Sequence, residues 1–134
     1  EKIKTIGDNY MVACGVPTAD SEHAIKTVAM GAKMMAFVNA LPLIQGHRIS
    51  MRIGVHSGSA VAGVIGKKKF VYDLWGDAVN TAGRMESHGL PNEIHLSAFT
   101  AELVSGAFEL VSRGPIEIKG IGSMETFFVN LTKN

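Results

Sequence analysis

The sequence is poor in cysteine, because Cys14 is the only one among its 134 residues. A single thiol excludes a disulfide within the chain and a zinc cluster built from several cysteines. Since disulfides persist in oxidising environments, the lone thiol fits a reducing compartment, and we expect a cytoplasmic location. The five histidines are scattered and none forms the H-x-x-x-H spacing of a metal site, so we assign none of them to a site.

The sequence also has no large excess of positive or negative charge and no long apolar run. The formal net charge is +1, whereas a protein that grips nucleic acid through its phosphates needs a basic stripe. No apolar run approaches the ~20 residues of a membrane span, and these residues show no n-region and h-region of the kind that marks a signal peptide. Any membrane attachment would therefore come from parts of a parent protein. What is present is 46% hydrophobic residues in a length that suits one globular domain.

The first segments predict a β-hairpin. Lys2–Ile6 alternates polar and apolar residues, which is typical of a half-buried strand. Gly7, Asp8 and Asn9 follow, and these residue types favour tight turns. A mostly apolar second strand is predicted from Tyr10 to Cys14. This arrangement places Asp8 at the tip of the hairpin.

A helix of about five turns is predicted next, from the 3.6-residue repeat. Asp20 or Ser21 can cap it, and Glu22 suits its first turn. The apolar positions that recur at helical spacing are Ile25, Val28, Ala29, Ala32, Met35 and Ala36. Leu41, Pro42 and Gly46 mark its end.

The middle of the chain is rich in glycine but is not a phosphate loop. Strands are predicted at 51–56, 58–66 and 70–75, with Lys67, Lys68 and Lys69 in a turn before the last of them. The stretch from 54 to 66 contains neither G-x-x-x-x-G-K-[ST] nor a G-x-G-x-x-G that opens a helix. Its small residues instead indicate a strand that lies close to another backbone.

The remaining elements complete an α+β pattern. A helix with Asp77 as its N-cap is predicted to run to about Ser87, where a glycine and a proline stop it. The segments that follow are a strand at 93–96, a helix at 97–104, a strand at 108–113 and a hairpin of strands at 115–119 and 126–131. Strands and helices alternate irregularly with hairpins, which favours an α+β sandwich with a mostly antiparallel sheet.

Several polar residues allow two interpretations. Asp8 is either a good turn residue or a ligand for a hard cation such as Mg²⁺. Asn80 and Arg84 share one helix face, which is either a solvent-exposed face or a clamp for ribose and phosphate. Glu86 is badly placed to neutralise Arg84, being only two residues away. Asp73 lies in an apolar strand, where a carboxylate needs a donor.

Two segments together resemble the catalytic domain of the class III nucleotidyl cyclases, the adenylyl and guanylyl cyclases. One is EKIKTIGDNYM at 1–11, running on to GVP at 15–17, and the other is YDLWGDAVNTAGRMES at 72–87. RIGVHSG at 52–58, VAGVIG at 61–66 and IKGIG at 118–122 also fit. The match covers nearly the whole chain in the right order. It implies a ferredoxin-like core with a mostly antiparallel sheet and flanking helices.

The resemblance also implies a role for each matching position. Asp8 would be one of two aspartates that bind a pair of Mg²⁺ or Mn²⁺ ions. Asn80 would orient the ribose, Arg84 would stabilise the transition state, and Lys119 would hold the terminal phosphates. Active sites in this family form between two subunits, so the resemblance implies a homodimer with composite sites.

The resemblance assigns base reading to Lys4 and Asp73. Adenine presents an amine donor at N6 and an acceptor at N1, which complement a carboxylate and an ammonium group. Guanine presents an acceptor at O6 and a donor at N1–H. Each protein group would then face a base group of its own kind, acceptor against acceptor at Asp73 and donor against donor at Lys4. Guanylyl cyclases of the family carry Glu and Cys at these positions, and the bicarbonate-responsive subclass often carries Thr in place of Asp73. These residues therefore predict an adenylyl cyclase that acts on ATP, with a guanylyl cyclase as the alternative.

One part of the family pattern is not in this sequence. The first metal aspartate of the family lies in a strand upstream of Glu1, so we interpret residues 1–134 as the C-terminal larger part of one catalytic domain, without its N-terminal strand and helices. On this interpretation the chain is expected to be inactive alone. A rival interpretation is a non-catalytic nucleotide-binding or dimerisation module derived from a cyclase. Gly83, where Ser is common, is a further departure.

Overall fold

The structure is a computed structural model that describes residues 1–16, 18–65 and 71–132, without the side chains of residues 6, 61, 64, 65, 71–73 and 75. Strands and helices alternate along this part of the chain. In chain order they are β1 (Lys2–Ile6), β2 (Asn9–Val12), α1 (His23–Asn39), β3 (Ile53–Val55), β4 (Val61–Ile65), β5 (Val71–Trp75), α2 (Asp77–Ser87), β6 (Ile94–Ser97), α3 (Ala98–Val104), β7 (Leu110–Ile118) and β8 (Gly122–Val129). The α+β pattern predicted from the sequence is confirmed.

The first two strands form the predicted hairpin. β1 and β2 pair antiparallel with Ile6 opposite Asn9, which leaves Gly7 and Asp8 as a two-residue loop. Gly7 has a φ of 60°, and a glycine at the first loop position is the preference of type II′ hairpins. Asp8 is exposed at the tip, as predicted. β2 ends at Val12, two residues earlier than expected.

A four-stranded sheet forms the centre, with the strand order β3-β6-β8-β7. β3 and β6 are parallel, whereas β6–β8 and β7–β8 are antiparallel. All four residues of β6 are buried, so both faces of this strand are covered. The sheet is therefore mostly antiparallel, as predicted, with one parallel pair.

Helices lie on both faces of this sheet. Ile94 and Leu96 of β6 join the main core together with Val28 and Met35 of α1 and Val104 of α3. Side chains alternate along a strand, so His95 points to the opposite face. There its ring contacts the backbone of α2 at Met85. The sheet is thus sandwiched between α1 with α3 and α2.

The strand that carries Asp73 belongs to a second hairpin. β4 and β5 pair antiparallel, with Gly63 opposite Asp73. The predicted turn at Lys67, Lys68 and Lys69 lies outside the described residues, as does the predicted strand start at Phe70. Cα atoms of β1 and β5 come within 8 Å of each other, so the two hairpins are neighbours.

The structure corrects two sequence predictions. The N-cap of α2 is Gly76 and not Asp77, which is the first helical residue. The segments predicted as separate strands at 108–113 and 115–119 form one strand, β7, with an irregularity between Ser112 and Gly114. β7 is an edge strand, where a proline such as Pro115 is tolerated because one side of the strand is unpaired.

β3 crosses α2 at very close range. A Cβ atom added to Gly54 would lie 2.0 Å from the backbone nitrogen of Glu86 and 2.4 Å from the carbonyl carbon of Met85. No side chain fits between these backbones. The close backbone approach predicted for the glycine-rich middle of the chain is therefore confirmed at Gly54.

Within the described part of the chain, no helix has the length and hydropathy that crossing a membrane requires.

Candidate active site

One glycine connects the strand of Asp73 to the helix of Asn80 and Arg84. Gly76 is the single residue between β5 and α2, with φ 119° and ψ −179°. Residues other than glycine rarely adopt this backbone conformation. The carbonyl oxygen of Gly76 accepts a hydrogen bond from the amide of Asn80 at 3.2 Å. The start of α2 is thereby fixed directly at the end of β5.

Asn80 and Arg84 lie one helical turn apart on α2. Asn80 is exposed and Arg84 is half-buried. The Arg84 guanidinium makes no hydrogen bond or ion pair with any residue that the structure describes. Glu86, two residues on, pairs instead with Arg52 at 2.5 Å. The sequence prediction that Glu86 does not neutralise Arg84 is confirmed, and Arg84 keeps its donors for another partner.

Lys119 lies at the C-terminal end of α2. It occupies the turn between β7 and β8, and its side chain is exposed. Its backbone amide donates to Nε2 of His88 at 3.2 Å. His88 is the C-cap of α2, and its own amide donates to the carbonyl oxygen of Arg84 at 2.9 Å. The structure thus brings the Lys119 turn to the helical turn that carries Arg84.

The junction between the Lys119 turn and the end of α2 is supported by a network of side chains from the sheet. Nδ1 of His95 donates to the carbonyl oxygen of Met85 at 2.8 Å, and its Nε2 lies 3.3 Å from a guanidinium nitrogen of Arg113. Arg113 also donates to the carbonyl oxygen of His88 at 2.5 Å and stacks 5.3 Å from the ring centroid of Phe128. Burial lowers the pKa of His95 and the nearby Arg113 charge acts in the same direction, although the bond to Met85 opposes them. Because the Arg113 guanidinium can only donate, Nε2 of His95 accepts from it.

Lys4 lies on the strand that neighbours the strand of Asp73. Lys4 is half-buried on β1 and stands opposite Met11 of β2. Asp73 lies in β5, where its backbone stands opposite Gly63 of β4. Its side chain is not among those that the structure describes. Because β1 and β5 approach within 8 Å, the two residues lie on adjacent elements of the same chain.

The Asp8 carboxylate is free to take a ligand. It is exposed at the hairpin tip and has no hydrogen bond or ion pair to a described residue. One accessible carboxylate oxygen donor on a tight turn fits Mg²⁺, which takes one or two carboxylates and fills its other positions with water and phosphate oxygens. Among the described residues, no three Asp, Glu, His or Cys side chains cluster as a closed cation site. Asp8 thus fits as one ligand of an open metal site.

Two cavities in the described part of the chain are lined by other residues. One, of about 200 Å³, lies between the β1–β2 hairpin and α1, and the other, of about 390 Å³, lies beside β8. Neither is lined by Lys4, Asp8, Asn80, Arg84 or Lys119. Asp8, Asn80 and Lys119 are instead exposed at the surface of the chain.

Two groups of residues escaped the sequence analysis. His88, His95 and Arg113 form the junction described above, and their spacing in the sequence carries no motif.

The second group is a chain of hydrogen bonds that begins at His56. Its Nδ1 lies 2.6 Å from the buried Ser97 hydroxyl, which lies 3.2 Å from the Thr100 hydroxyl, and Thr100 in turn contacts the Ser57 hydroxyl. Burial lowers the pKa of His56. Ser97, which the sequence prediction included in the helix at 97–104, is the N-cap of α3.

Comparison with known proteins identifies the family. Residues 1–131 match the family described as the adenylate and guanylate cyclase catalytic domain. This chain belongs to that family. Over 131 residues it is 47% identical to the guanylate cyclase soluble subunit beta-2 of Rattus norvegicus, a match that covers 96% of this chain and 19% of the relative. The chain thus spans about a fifth of that curated relative.

Solved structures of the same family share the fold. The guanylate cyclase domain of RhGC from Catenaria anguillulae, in complex with GTP, superposes with a TM-score of 0.89 at 36% identity, covering 96% of this chain and 71% of that one. The catalytic core of a rhodopsin-guanylyl cyclase with converted specificity, in complex with ATPαS, gives a TM-score of 0.87 at 38% identity, covering 96% and 70%. The predicted fold class, a cyclase catalytic domain, is confirmed.

Proposed function

We propose that this chain forms the substrate-binding part of a nucleotidyl cyclase that converts ATP to 3′,5′-cyclic AMP and pyrophosphate. The observation that carries the choice of ATP is that Lys4 and Asp73 lie on the neighbouring strands β1 and β5, whose Cα atoms come within 8 Å of each other. The ammonium donates to N1 of adenine and the carboxylate accepts from N6. With guanine, the Lys4 ammonium would face the donor N1–H and the Asp73 carboxylate would face the acceptor O6. Each buried polar group that is mispaired in this way costs about 1–3 kcal/mol. Two such contacts give a discrimination of about 10²–10⁴-fold.

A second candidate function is the cyclisation of GTP. The names of the relatives favour it, because the rat relative and the Catenaria domain are both guanylate cyclases. We rank ATP first because the base is read at two positions, whereas the overall identity reflects the shared scaffold. The rhodopsin-guanylyl cyclase core with converted specificity supports this reasoning, because its ATPαS complex is compatible with the same fold. Lys4 and Asp73 also differ from the Glu and Cys of guanylyl cyclases.

The proposed reaction is an in-line displacement within one nucleotide. The ribose 3′-oxygen loses its proton and bonds to the α-phosphorus, while the bond from that phosphorus to the bridging oxygen of pyrophosphate breaks. Asn80 orients the ribose by hydrogen bonding. Arg84 donates to the charge that develops on the α-phosphoryl oxygens, which its unneutralised guanidinium on α2 supports. Lys119 holds the terminal phosphates from the end of α2.

Asp8 would hold the metal in this proposal. Mg²⁺ or Mn²⁺, two ions per site, would supply Lewis-acid activation of the 3′-oxygen and neutralisation of the leaving pyrophosphate. The exposed carboxylate at the rigid hairpin tip supports this assignment. The other metal aspartate, expected upstream of Glu1, and the composition of the full catalytic domain stay predictions of the sequence, as does the cytoplasmic location.

We propose that the site is shared by two copies of the domain. Asp8 of one copy would face the base, ribose and phosphate residues of the other, in a homodimer. The exposure of Asp8, Asn80 and Lys119 in one chain supports this arrangement, because a substrate site normally encloses most of its ligand. Nucleic acid is not an expected partner, given the net charge of +1.

The deciding experiment exchanges the two base-reading residues. In the full-length protein that carries this chain, kcat/KM is measured for ATP and GTP with Mg²⁺, before and after the double substitution Lys4→Glu with Asp73→Cys. We expect the unsubstituted protein to prefer ATP and the double variant to lower the ATP-to-GTP ratio by at least about 100-fold. Lys2→Glu is the matched control, because it makes the same charge change on the same strand.

Each outcome discriminates between the candidate functions. A preference of the unsubstituted protein for GTP would replace the first candidate with the second. An unchanged ratio in the double variant would remove the base-reading roles of Lys4 and Asp73. A folded full-length protein that binds nucleotide but turns over neither ATP nor GTP would establish the rival, a non-catalytic nucleotide-binding module.

A further inference from the structure

We propose that His88 is a positioning residue that fixes the Lys119 turn against the last turn of α2, and so sets where the terminal phosphates lie relative to Arg84. This inference rests on the proposed function, because it takes Lys119 as the phosphate ligand and Arg84 as the residue at the reacting phosphorus. It gives a role to a histidine that carries no motif in the sequence.

The geometry of His88 joins the two functional segments directly. Its amide donates to the carbonyl oxygen of Arg84 at 2.9 Å, and its ring Nε2 accepts from the amide of Lys119 at 3.2 Å. One residue therefore holds the backbones of both Arg84 and Lys119. These two residues are 35 positions apart in the sequence, and Lys119 lies in an exposed turn between β7 and β8.

A residue of the central sheet, on strand β7, also contacts His88. Arg113 of β7 donates to the His88 carbonyl oxygen at 2.5 Å, and its guanidinium also approaches Nε2 of His95 and the ring of Phe128. Gly89, directly after His88, permits this close seating. A Cβ atom there would lie 3.1 Å from the carbonyl oxygen of Met85 and 3.3 Å from Cβ of His95. His88 is thus attached to the sheet independently of its ring contact with Lys119.

The ring contact requires a specific chemical form of His88. Because the Lys119 amide is the donor, Nε2 must carry a lone pair, and the proton of the neutral ring is on Nδ1. A side chain without an acceptor at this position loses the contact. A glutamine can regain it, because its amide oxygen extends to about the position of the imidazole Nε2, whereas the amide group of an asparagine is too short.

The consequence for binding is confined to the phosphate end of the nucleotide. Without the contact, the Lys119 turn loses its described hydrogen bond to the end of α2, and its ammonium is less well placed. We therefore expect weaker binding of ligands that carry the terminal phosphates. Binding of a nucleoside monophosphate, which lacks them, should stay the same.

The test compares binding of inorganic pyrophosphate and of AMP to the full-length protein, in the presence of Mg²⁺, by titration calorimetry. His88→Leu should weaken pyrophosphate binding and raise KM for the triphosphate about 3–10-fold, as expected for one hydrogen bond, while AMP binding changes less than about twofold. His88→Gln should restore pyrophosphate binding to within about twofold. His47→Leu, at an exposed histidine outside the network, is the control.

A double-substitution cycle with Lys119→Ala separates this inference from the proposed function. If His88 acts through Lys119, adding His88→Leu to Lys119→Ala should cause no further loss of pyrophosphate binding. If Lys119→Ala itself leaves pyrophosphate binding unchanged, the phosphate role in the proposed function fails. If Lys119→Ala weakens binding but His88→Leu does not, the inference alone is overturned.

Two further results bear on the positioning role. Equal weakening of pyrophosphate and AMP binding by His88→Leu would indicate a general disturbance of the fold and would overturn the inference. Should His88→Leu fail to fold, as judged by circular dichroism, His88→Asn replaces it. It keeps a polar side chain but does not reach the Lys119 amide, and the same losses are expected.

Discussion

Arg84 is distinguished from the other arginines near α2 by the absence of a described partner. Arg52 is paired with Glu86, and Arg113 is held by His88, His95 and Phe128. A half-buried guanidinium without a counter-ion among the described residues retains donors that a phosphoryl group can use. In the proposed reaction, these donors act where negative charge develops.

Replacing Arg84 by alanine should therefore affect the chemical step more than binding. We expect Arg84→Ala to lower kcat about 10²–10³-fold, a loss typical of removing one donor to a developing charge, while KM changes less than about threefold. Steady-state kinetics on the full-length protein gives both values. Arg52→Ala, which removes a guanidinium that is already paired, should change kcat less than about twofold. A rise in KM alone for Arg84→Ala would contradict the transition-state role.

Single residues differ in how far the sequence could predict them. Asp8, Asn80, Arg84 and Lys119 stand at positions that the family resemblance marks, and the structure places each on a turn or helix face that solvent or ligand can reach. His88 could not be predicted, because its contact with Lys119 depends on packing α2 against the β7–β8 turn. No local spacing encodes such a long-range approach.

At the scale of elements, β3 crosses α2 with the two backbones in close contact. It depends on Gly54, where even one added carbon would lie 2.0 Å from the backbone of Glu86. Backbone atoms cannot move aside as a flexible side chain can. The end of α2, with Arg84 and His88, is therefore positioned by the absence of a side chain on β3.

Two glycine substitutions should have opposite effects on the free energy of unfolding. Gly54→Ala should lower it by about 3 kcal/mol or more, because the strand and helix must separate. Gly83→Ala is the matched control. It lies within α2 with open space around it, so alanine should raise the free energy of unfolding by about 0.5–1 kcal/mol. Urea unfolding of the three proteins measures both changes. A stable Gly54→Ala variant would show that the crossing can relax.

The elements that the sequence predicts well are those specified by local pattern. The β1–β2 hairpin follows from alternation and turn residues, and α2 ends at Ser87 as predicted. β7 was wrongly divided, because Gly114 and Pro115 resemble a break in isolation. The strand continues because it lies at the edge of the sheet, a position that depends on the tertiary fold.

Across the whole molecule, two histidines lose contact with water on folding, His95 being buried and His56 half-buried. Burial lowers the pKa of both His95 and His56 from the usual 6.5. The unfolded chain therefore binds protons near pH 6.5 that the folded protein does not bind. Acidification through this range favours unfolding, and at higher pH, where both states are neutral, the penalty disappears.

The free energy of unfolding should accordingly fall as pH decreases below about 6.5. Each histidine contributes a slope of at most about 1.4 kcal/mol per pH unit. Urea unfolding between pH 7.5 and 5.5 should show a shallower slope for His95→Asn, whose amide can still donate to the Met85 carbonyl. His47→Asn, at an exposed position, should leave the slope unchanged. Identical slopes for all three proteins would contradict the assignment to His95.

The order of the central sheet could not be predicted from the sequence. β3 pairs in parallel with β6, and the intervening chain forms a separate hairpin and α2. Alternation identifies a strand but does not identify its neighbour. The α+β class follows from local patterns, whereas the strand order depends on burial of β6 on both faces, which only the assembled helices produce.

The single-residue link at Gly76 has a consequence for fidelity. Because only Gly76 separates β5 from α2, a movement of Asp73 is coupled to the positions of Asn80 and Arg84. In the proposed reaction, a purine that tilts to avoid an unfavourable contact at Asp73 would displace its own sugar from Asn80 and its α-phosphorus from Arg84. The wrong nucleotide would then be misaligned for ring closure even when it is bound, so rejection would occur in the rate of cyclisation as well as in affinity.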